Sequence, residues 1–142
     1  TISQHGLLQT LTQYLARYEK NYGIQTQIEG AEPFTDGAFE PLVEVQLLRI
    51  LQEALTNVRK HSNAHYVRIT FALEDDRARV SVNDDGRGFD PDAPSAGMEE
   101  HVGLRVMRER AEEVGGSLSL ISTSGQGTDL VVRVPVKGAI HA

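Results

Sequence analysis

Three short stretches hold the residue types that bind anions, metals and polar heterocycles. The first lies in a segment of helical periodicity at 41–61, where Pro41 suits a first helical turn. Stepping about 100° per residue sorts its side chains into three sectors. Leu47, Leu51, Ala54, Leu55 and Val58 form an apolar stripe, and Arg49, Gln52, Thr56 and Arg59 form a solvated one. Between them fall Glu53, Asn57, Lys60 and His61, with Ile50 in the same sector. An acid, a neutral carbonyl oxygen and a cation on one face are a set that can serve magnesium and phosphate. The plainer alternative is a solvated ladder of Glu53, Asn57 and Lys60 at helical spacing. Against it, Asn is a poor choice for an exposed helix interior, and Ile50 is an odd neighbour for a wet stripe.

The second stretch is Asp84-Asp85-Gly86-Arg87-Gly88-Phe89. Asp-Gly alone marks a turn. Placed directly after a strand, Gly86 and Gly88 would let the backbone approach a flat ligand closely, and Asp84 would accept a hydrogen bond from an exocyclic amine. The third is His101-Val102-Gly103-Leu104, followed by Arg105, Met107, Arg108 and Arg110. Gly103 is expected where a loop meets a helix N-terminus, the kind of end whose free N–H groups hold phosphate. A plain junction with arginines on a wet face is the alternative.

These stretches need elements to hold them. Leu7, Leu8, Leu11, Leu15 and Tyr18 give the span 2–22 a helical period, stopped by Gly23. Residues 24–28 alternate as a short strand. Val67, Ile69, Phe71 and Leu73 predict one face of a strand at 65–73, and Ala78, Val80 and Val82 the inward face of another at 77–84. Asp75-Asp76 joins them as a hairpin. Residues 85–102 lack periodicity, 103–114 predict a helix ended by Gly115-Gly116, and 118–122 and 129–136 predict two last strands about a turn at 124–127. The expectation is α/β: a two-layer sandwich whose mixed sheet of about five strands is covered on one face by three helices.

Composition narrows the chemistry. With 142 residues and 39% hydrophobic content, the chain fits one domain. It has no cysteine, which excludes disulfides and thiolate chemistry. The formal charge of −6 argues against a nucleic-acid surface and means that any anionic ligand needs a cation and local donors. No apolar run approaches a membrane span or a signal peptide, so the fragment is expected to be cytoplasmic, from a parent that can still be membrane-tethered.

Taken in order, the stretches resemble the catalytic domain of sensor histidine kinases, closest to the nitrate/nitrite-sensor and DesK-like group. Glu53 to His61 resembles the N box, Asp84 to Phe89 the G1 box, and His101 to Leu104 the G2 box. Met107-Arg108-Glu109-Arg110-Ala111 resembles the M-x-E-R-A that follows, and Gly127-Thr128 a further nucleotide-contacting position. The resemblance implies the Bergerat-type ATP-binding fold, with ATP and Mg²⁺ as ligands. It implies Asn57 as the Mg²⁺ ligand, Glu53 as the residue that helps activate the acceptor histidine, and Lys60 and His61 near the phosphates. It implies Asp84 on the adenine amino group, Thr128 in support through water, Gly86, Gly88 and Gly103 as points of close approach, and 90–102 as a lid. His101, which stands where many relatives have glycine, and Leu104 complete the expected nucleotide contacts.

The implied division is 1–22 as linker and first helix, 23–137 as the catalytic domain and 138–142 as tail. The implied partners are a separate dimerisation domain that carries the phosphoacceptor histidine, and a response regulator, with no nucleic acid and no direct membrane contact. His5 lacks an adjacent acid and resembles a linker residue, while His65 and His141 have structural or incidental explanations. An anti-sigma-factor-type serine kinase and a non-catalytic nucleotide-binding signalling module are the alternatives.

Overall fold

The structure, a computed structural model, describes residues 2–34, 37–86, 98–122 and 127–137. Its elements are α1 (Ile2–Tyr22), β1 (Gln25–Glu29), α2 (Pro41–Asn57), β2 (Tyr66–Glu74), β3 (Arg77–Asp84), α3 (Met98–Glu113), β4 (Ser117–Ser122) and β5 (Thr128–Pro135). A 3₁₀ turn, Glu32–Phe34, precedes α2, and a π-helical turn, Val58–Ser62, follows it. The five strands form one sheet in the order β1-β2-β3-β5-β4. β1 and β2 are parallel, joined by a crossover through α2, and every other pair is antiparallel.

Alternation sets which face is buried. Val67, Ile69 and Phe71 of β2 share one face with Ala78, Val80 and Val82 of β3 and with Leu130, Val132 and Val134 of β5, and all are buried. The helices supply the other half of the core through Leu7, Leu11 and Leu15 of α1, Leu47, Leu51 and Leu55 of α2, and Met107 and Ala111 of α3. The opposite sheet face carries polar residues, among them Glu74, which pairs with Arg79 and Arg133 at 3.5 and 3.0 Å. This is the expected α/β sandwich.

Several local expectations need correction. Leu73 continues the apolar alternation of β2, yet it is 59% exposed because the strand runs past the core at the hairpin tip. Ile50, grouped with Glu53 and Asn57, is fully buried, so that sector of α2 is a packed boundary and not a wet stripe. The α-helix expected to reach residue 61 ends at Asn57, and the chain continues as the π turn until Asn63, whose φ of 58° is left-handed and closes it. The helix expected from residue 103 begins at Met98, so Gly103 lies within α3 and not at its N-terminus. The last part of the expected lid is therefore helical, and 87–97 lie outside the described residues.

Candidate functional site

Asp84 occupies the next inward position after Ala78, Val80 and Val82, so the alternation that builds the core also aims a carboxylate into it. Across the ladder Asp84 pairs with Thr128, the corresponding end of β5. The two strand ends form one wall of a small, mostly apolar cavity of about 30 Å³. Asn57, His61 and Ser62 line it from α2 and the π turn, and Leu104 from α3.

The π turn explains which side chains reach the cavity. In an α-helix, side chains three and four apart share a face. A π turn bonds i to i+5, with a wider repeat, which brings Ser62 under Asn57. Lys60 is correspondingly turned out and exposed, whereas His61 is half-buried at the cavity. Ser62 is a site residue that 3.6-residue periodicity rotates out of view. Its hydroxyl lies 2.8 Å from the Val58 carbonyl oxygen and also within reach of Asp84, so its one proton is shared between the two acceptors.

Burial pushes the Asp84 carboxyl above the ordinary aspartate range. The Gly86 N–H, donating to Oδ1 at 2.8 Å, opposes this; the neighbouring Asp85 charge adds to it, and the Ser62 hydrogen bond again opposes it. Asp85 has a different task. Its Oδ1 accepts from the N–H groups of His65 and Tyr66 at 2.8 and 3.0 Å, tying the exit of β3 to the entry of β2.

Two glycines beside the cavity are required by contact. A Cβ on Gly86 would stand 2.3 Å from the Ser62 carbonyl oxygen, and one on Gly127 would stand 2.3 Å from that of Asp84. Gly127 also has a φ of +82°, which favours glycine. Gly103 differs. The nearest atoms to a Cβ there are Asn57 Nδ2 at 3.6 Å and Glu53 Oε1 at 3.7 Å, so α3 rests on the two polar residues of α2.

Glu53 stands on the other side of that contact. It lines a polar groove with Tyr14, Arg49, Gln52, Thr56 and Arg110, while Asn57 lines the cavity. The structure thus gathers Glu53, Asn57, His61, Asp84, Gly86, Gly103, Leu104 and Thr128 about one region, with Lys60 at its solvent edge. The side chain of His101 and all of Gly88 lie outside the described residues, as do those of His5 and the whole of His141.

No group of three or more His, Asp or Glu among the described residues could hold a metal ion. The carboxamide oxygen of Asn57 is a neutral, hard donor of the kind that Mg²⁺ takes. Among the described residues, no helix is long and apolar enough to cross a membrane.

Comparison with known proteins identifies the family of the chain. The family described as "Histidine kinase-, DNA gyrase B-, and HSP90-like ATPase" matches residues 42–138. Sensor histidine kinase LiaS of Bacillus subtilis (strain 168) is 37% identical over 136 residues, which cover 96% of this chain and 36% of that protein. The signal transduction histidine-protein kinase/phosphatase DegS of Brevibacillus brevis is 30% identical over 131 residues, 92% of this chain and 33% of its own length. The chain therefore spans about a third of these relatives. Among solved structures, the histidine kinase domain of the Erythrobacter litoralis EL346 blue-light activated histidine kinase shares the fold. Its TM-score is 0.69 at 20% identity, over 94% of this chain and 62% of that one.

Proposed function

The chain belongs to the family of histidine kinase-, DNA gyrase B- and HSP90-like ATPases, and from that premise we propose that it is the ATP-binding catalytic part of a two-component sensor histidine kinase. In this role it passes the γ-phosphoryl group of ATP to a histidine on a separate dimerisation segment, from which a response regulator is then charged. The proposal includes the cytoplasmic setting and the division into 1–22 as linker and first helix, 23–137 as catalytic domain and 138–142 as tail.

The observation that carries it is the inward carboxylate of Asp84, held in an apolar cavity beside Gly86 and Thr128 and facing Asn57 and His61. A half-buried acceptor in an apolar slot recognises a planar base through its exocyclic amine, and the small cavity must widen to admit one. Thr128, paired with Asp84, supports that contact through water. Gly86 lets the strand end lie against Ser62, and Leu104 closes the slot from α3.

From the base, the polyphosphate runs toward Asn57 and His61, with Lys60 at the rim. His101 and Gly88 belong to the proposed nucleotide contacts on sequence grounds. Asn57 offers its carboxamide oxygen to Mg²⁺, which when bound neutralises phosphate charge. Glu53, on the groove side of α2, takes or orients the proton of the incoming imidazole. The acceptor thus enters along the groove while nucleotide occupies the cavity. Catalysis rests mainly on positioning and charge neutralisation.

Two substitutions on α2 test this division. Asn57→Ala should remove most of the benefit that Mg²⁺ brings to ATP binding and should abolish transfer. Glu53→Gln should bind Mg-ATP nearly normally, yet transfer to an acceptor domain supplied in trans should fall by about 10²–10⁴. The measurements are calorimetric Mg-ATP affinity and single-turnover transfer of radiolabel. Absence of ATP binding by the unaltered chain would sink the proposal, as would full transfer by Glu53→Gln.

A further inference from the structure

Four features of α1, α2 and the π turn bracket Asn57 along the chain. Tyr14, Tyr18 and Tyr22 follow one another at helical spacing on α1, with ring centroids 6.4 and 5.4 Å apart. Tyr18 is 3% exposed, and its hydroxyl donates at 2.8 Å to the carbonyl oxygen of Leu55. The Tyr22 ring lies 4.5 Å beneath the Arg59 guanidinium. Between these two contacts α2 stops being α-helical and the π turn begins. The residues two before and two after Asn57, Leu55 and Arg59, are thus each held by α1, on either side of the change of register.

We infer that α1 is a positioning element for the magnesium- and phosphate-facing end of α2, acting through the Tyr18 hydroxyl on Leu55 and the Tyr22 ring under Arg59. The inference rests on the role proposed above for Asn57. A π turn is less favourable than continued α-helix and persists only where its surroundings hold it. Burying a phenol requires a partner for its O–H, and a carbonyl has a second lone pair free to provide one. Tyr18 therefore does more than fill space: the hydroxyl fixes the height of α1 on α2 at the last α-helical turn. The cation–π contact of Tyr22 fixes the turn that follows. Together they set where Asn57 and His61 stand relative to Asp84, which β3 positions independently.

The experiment uses Tyr18→Phe and Tyr22→Phe in the 142-residue chain, with Tyr22→Leu as a third variant. Tyr18→Phe keeps the ring and loses the hydroxyl, whereas Tyr22→Phe keeps the ring that Arg59 covers. The readout is the ratio of ATP dissociation constants without and with Mg²⁺, measured well below the melting temperature, beside adenosine affinity. Tyr18→Phe should shrink that ratio by about fivefold to tenfold and Tyr22→Leu, which loses an exposed contact, by about twofold to fivefold, and both should leave adenosine affinity within about twofold. Tyr22→Phe should match the unaltered chain.

A hydroxyl that only stabilised the fold would lower the melting temperature and leave the ratio untouched, and that result overturns the inference. Equal, undiminished ratios in Tyr18→Phe and Tyr22→Leu also overturn it. If Tyr18→Phe fails to fold, Tyr22→Leu alone decides by the same ratio. A failure of the kinase proposal is distinguishable, because the unaltered chain would then show no magnesium-dependent ATP binding at all.

Discussion

Replacing Gly86 with alanine should weaken nucleotide binding while leaving the chain folded. The added Cβ would stand 2.3 Å from the Ser62 carbonyl oxygen, 2.6 Å from its Cβ and 2.7 Å from its Oγ. Ordinary contact begins near 3.4 Å, so the shortfall at the carbonyl is about 1 Å. The carbonyl is main chain and cannot swing aside as the tip of a long side chain would. The end of β3 and the π turn must therefore part, and both line the cavity. Local overpacking costs about 1–3 kcal/mol, which a domain of this size tolerates while remaining folded. A misplacement of that size at a positioned site lowers its performance by about 10²-fold. Mg-ATP affinity measured by calorimetry should fall by about tenfold to a hundredfold, with a cooperative melt retained. Adding Ser62→Gly removes the Cβ and Oγ contacts but leaves the carbonyl, so the double variant should recover only part of the loss. Undiminished affinity and an unchanged melting temperature in Gly86→Ala would refute the packing of β3 against the π turn.

Asp84→Asn should trade binding for stability in a pH-dependent way. Burial raises the Asp84 pKa in the folded state, so the folded chain favours the protonated acid; that stability is present below the ordinary aspartate range and is lost as pH rises through the raised value. Thermal melts should therefore show Asp84→Asn more stable than the unaltered chain at pH 7, with the difference vanishing at low pH, while ATP affinity at pH 7 falls by about tenfold to a hundredfold. A difference that grows on acidification would contradict this sign. Gly103→Ala should raise the melting temperature, because alanine is favoured over glycine in a helix by about 1 kcal/mol and its Cβ meets only ordinary contacts at 3.6 Å and beyond. A lowered melting temperature would place Gly103 outside a helix.

The layers of the fold were legible because their signals are periodic. Leu73 apart, the alternation of β2 and β3 and the apolar stripe of α2 identified buried residues correctly, and Gly23 and Gly115 marked the ends of α1 and α3. What failed was punctuation. Gly103 looks like a boundary because glycine weakens a helix interior. Here it lies inside α3, facing Asn57 and Glu53 at ordinary contact distance. The segment before it, with Met98, Glu99 and Glu100, is composed of good helix formers with acids in the first turn, a signal that the glycine masked.

The cavity position of Ser62 and the hydrogen bond of Tyr18, itself expected on the apolar stripe of α1, went unseen for another reason. Ser62 reaches the cavity only because the helix changes its repeat, and the Tyr18 hydroxyl finds a carbonyl of a different helix. Neither event leaves a mark on local periodicity. Asp84 was legible both as a strand end and as a site candidate, since an acid that continues an inward alternation is conspicuous in the sequence itself.

The pairing of Asp84 with Thr128 also bears on when the cavity wall comes into being. The β2–β3 hairpin closes over the two-residue turn at Asp75 and Asp76, a local event on the microsecond scale. β5, by contrast, joins β3 only after α3 and β4 have been spanned, so its docking must overcome the entropy of a long closed loop. A ligand seated against both strand ends clasps contacts that form late. Its grip should then show in slower unfolding, with the refolding rate nearly unchanged, so occupancy lengthens the lifetime of the native state without hastening its arrival.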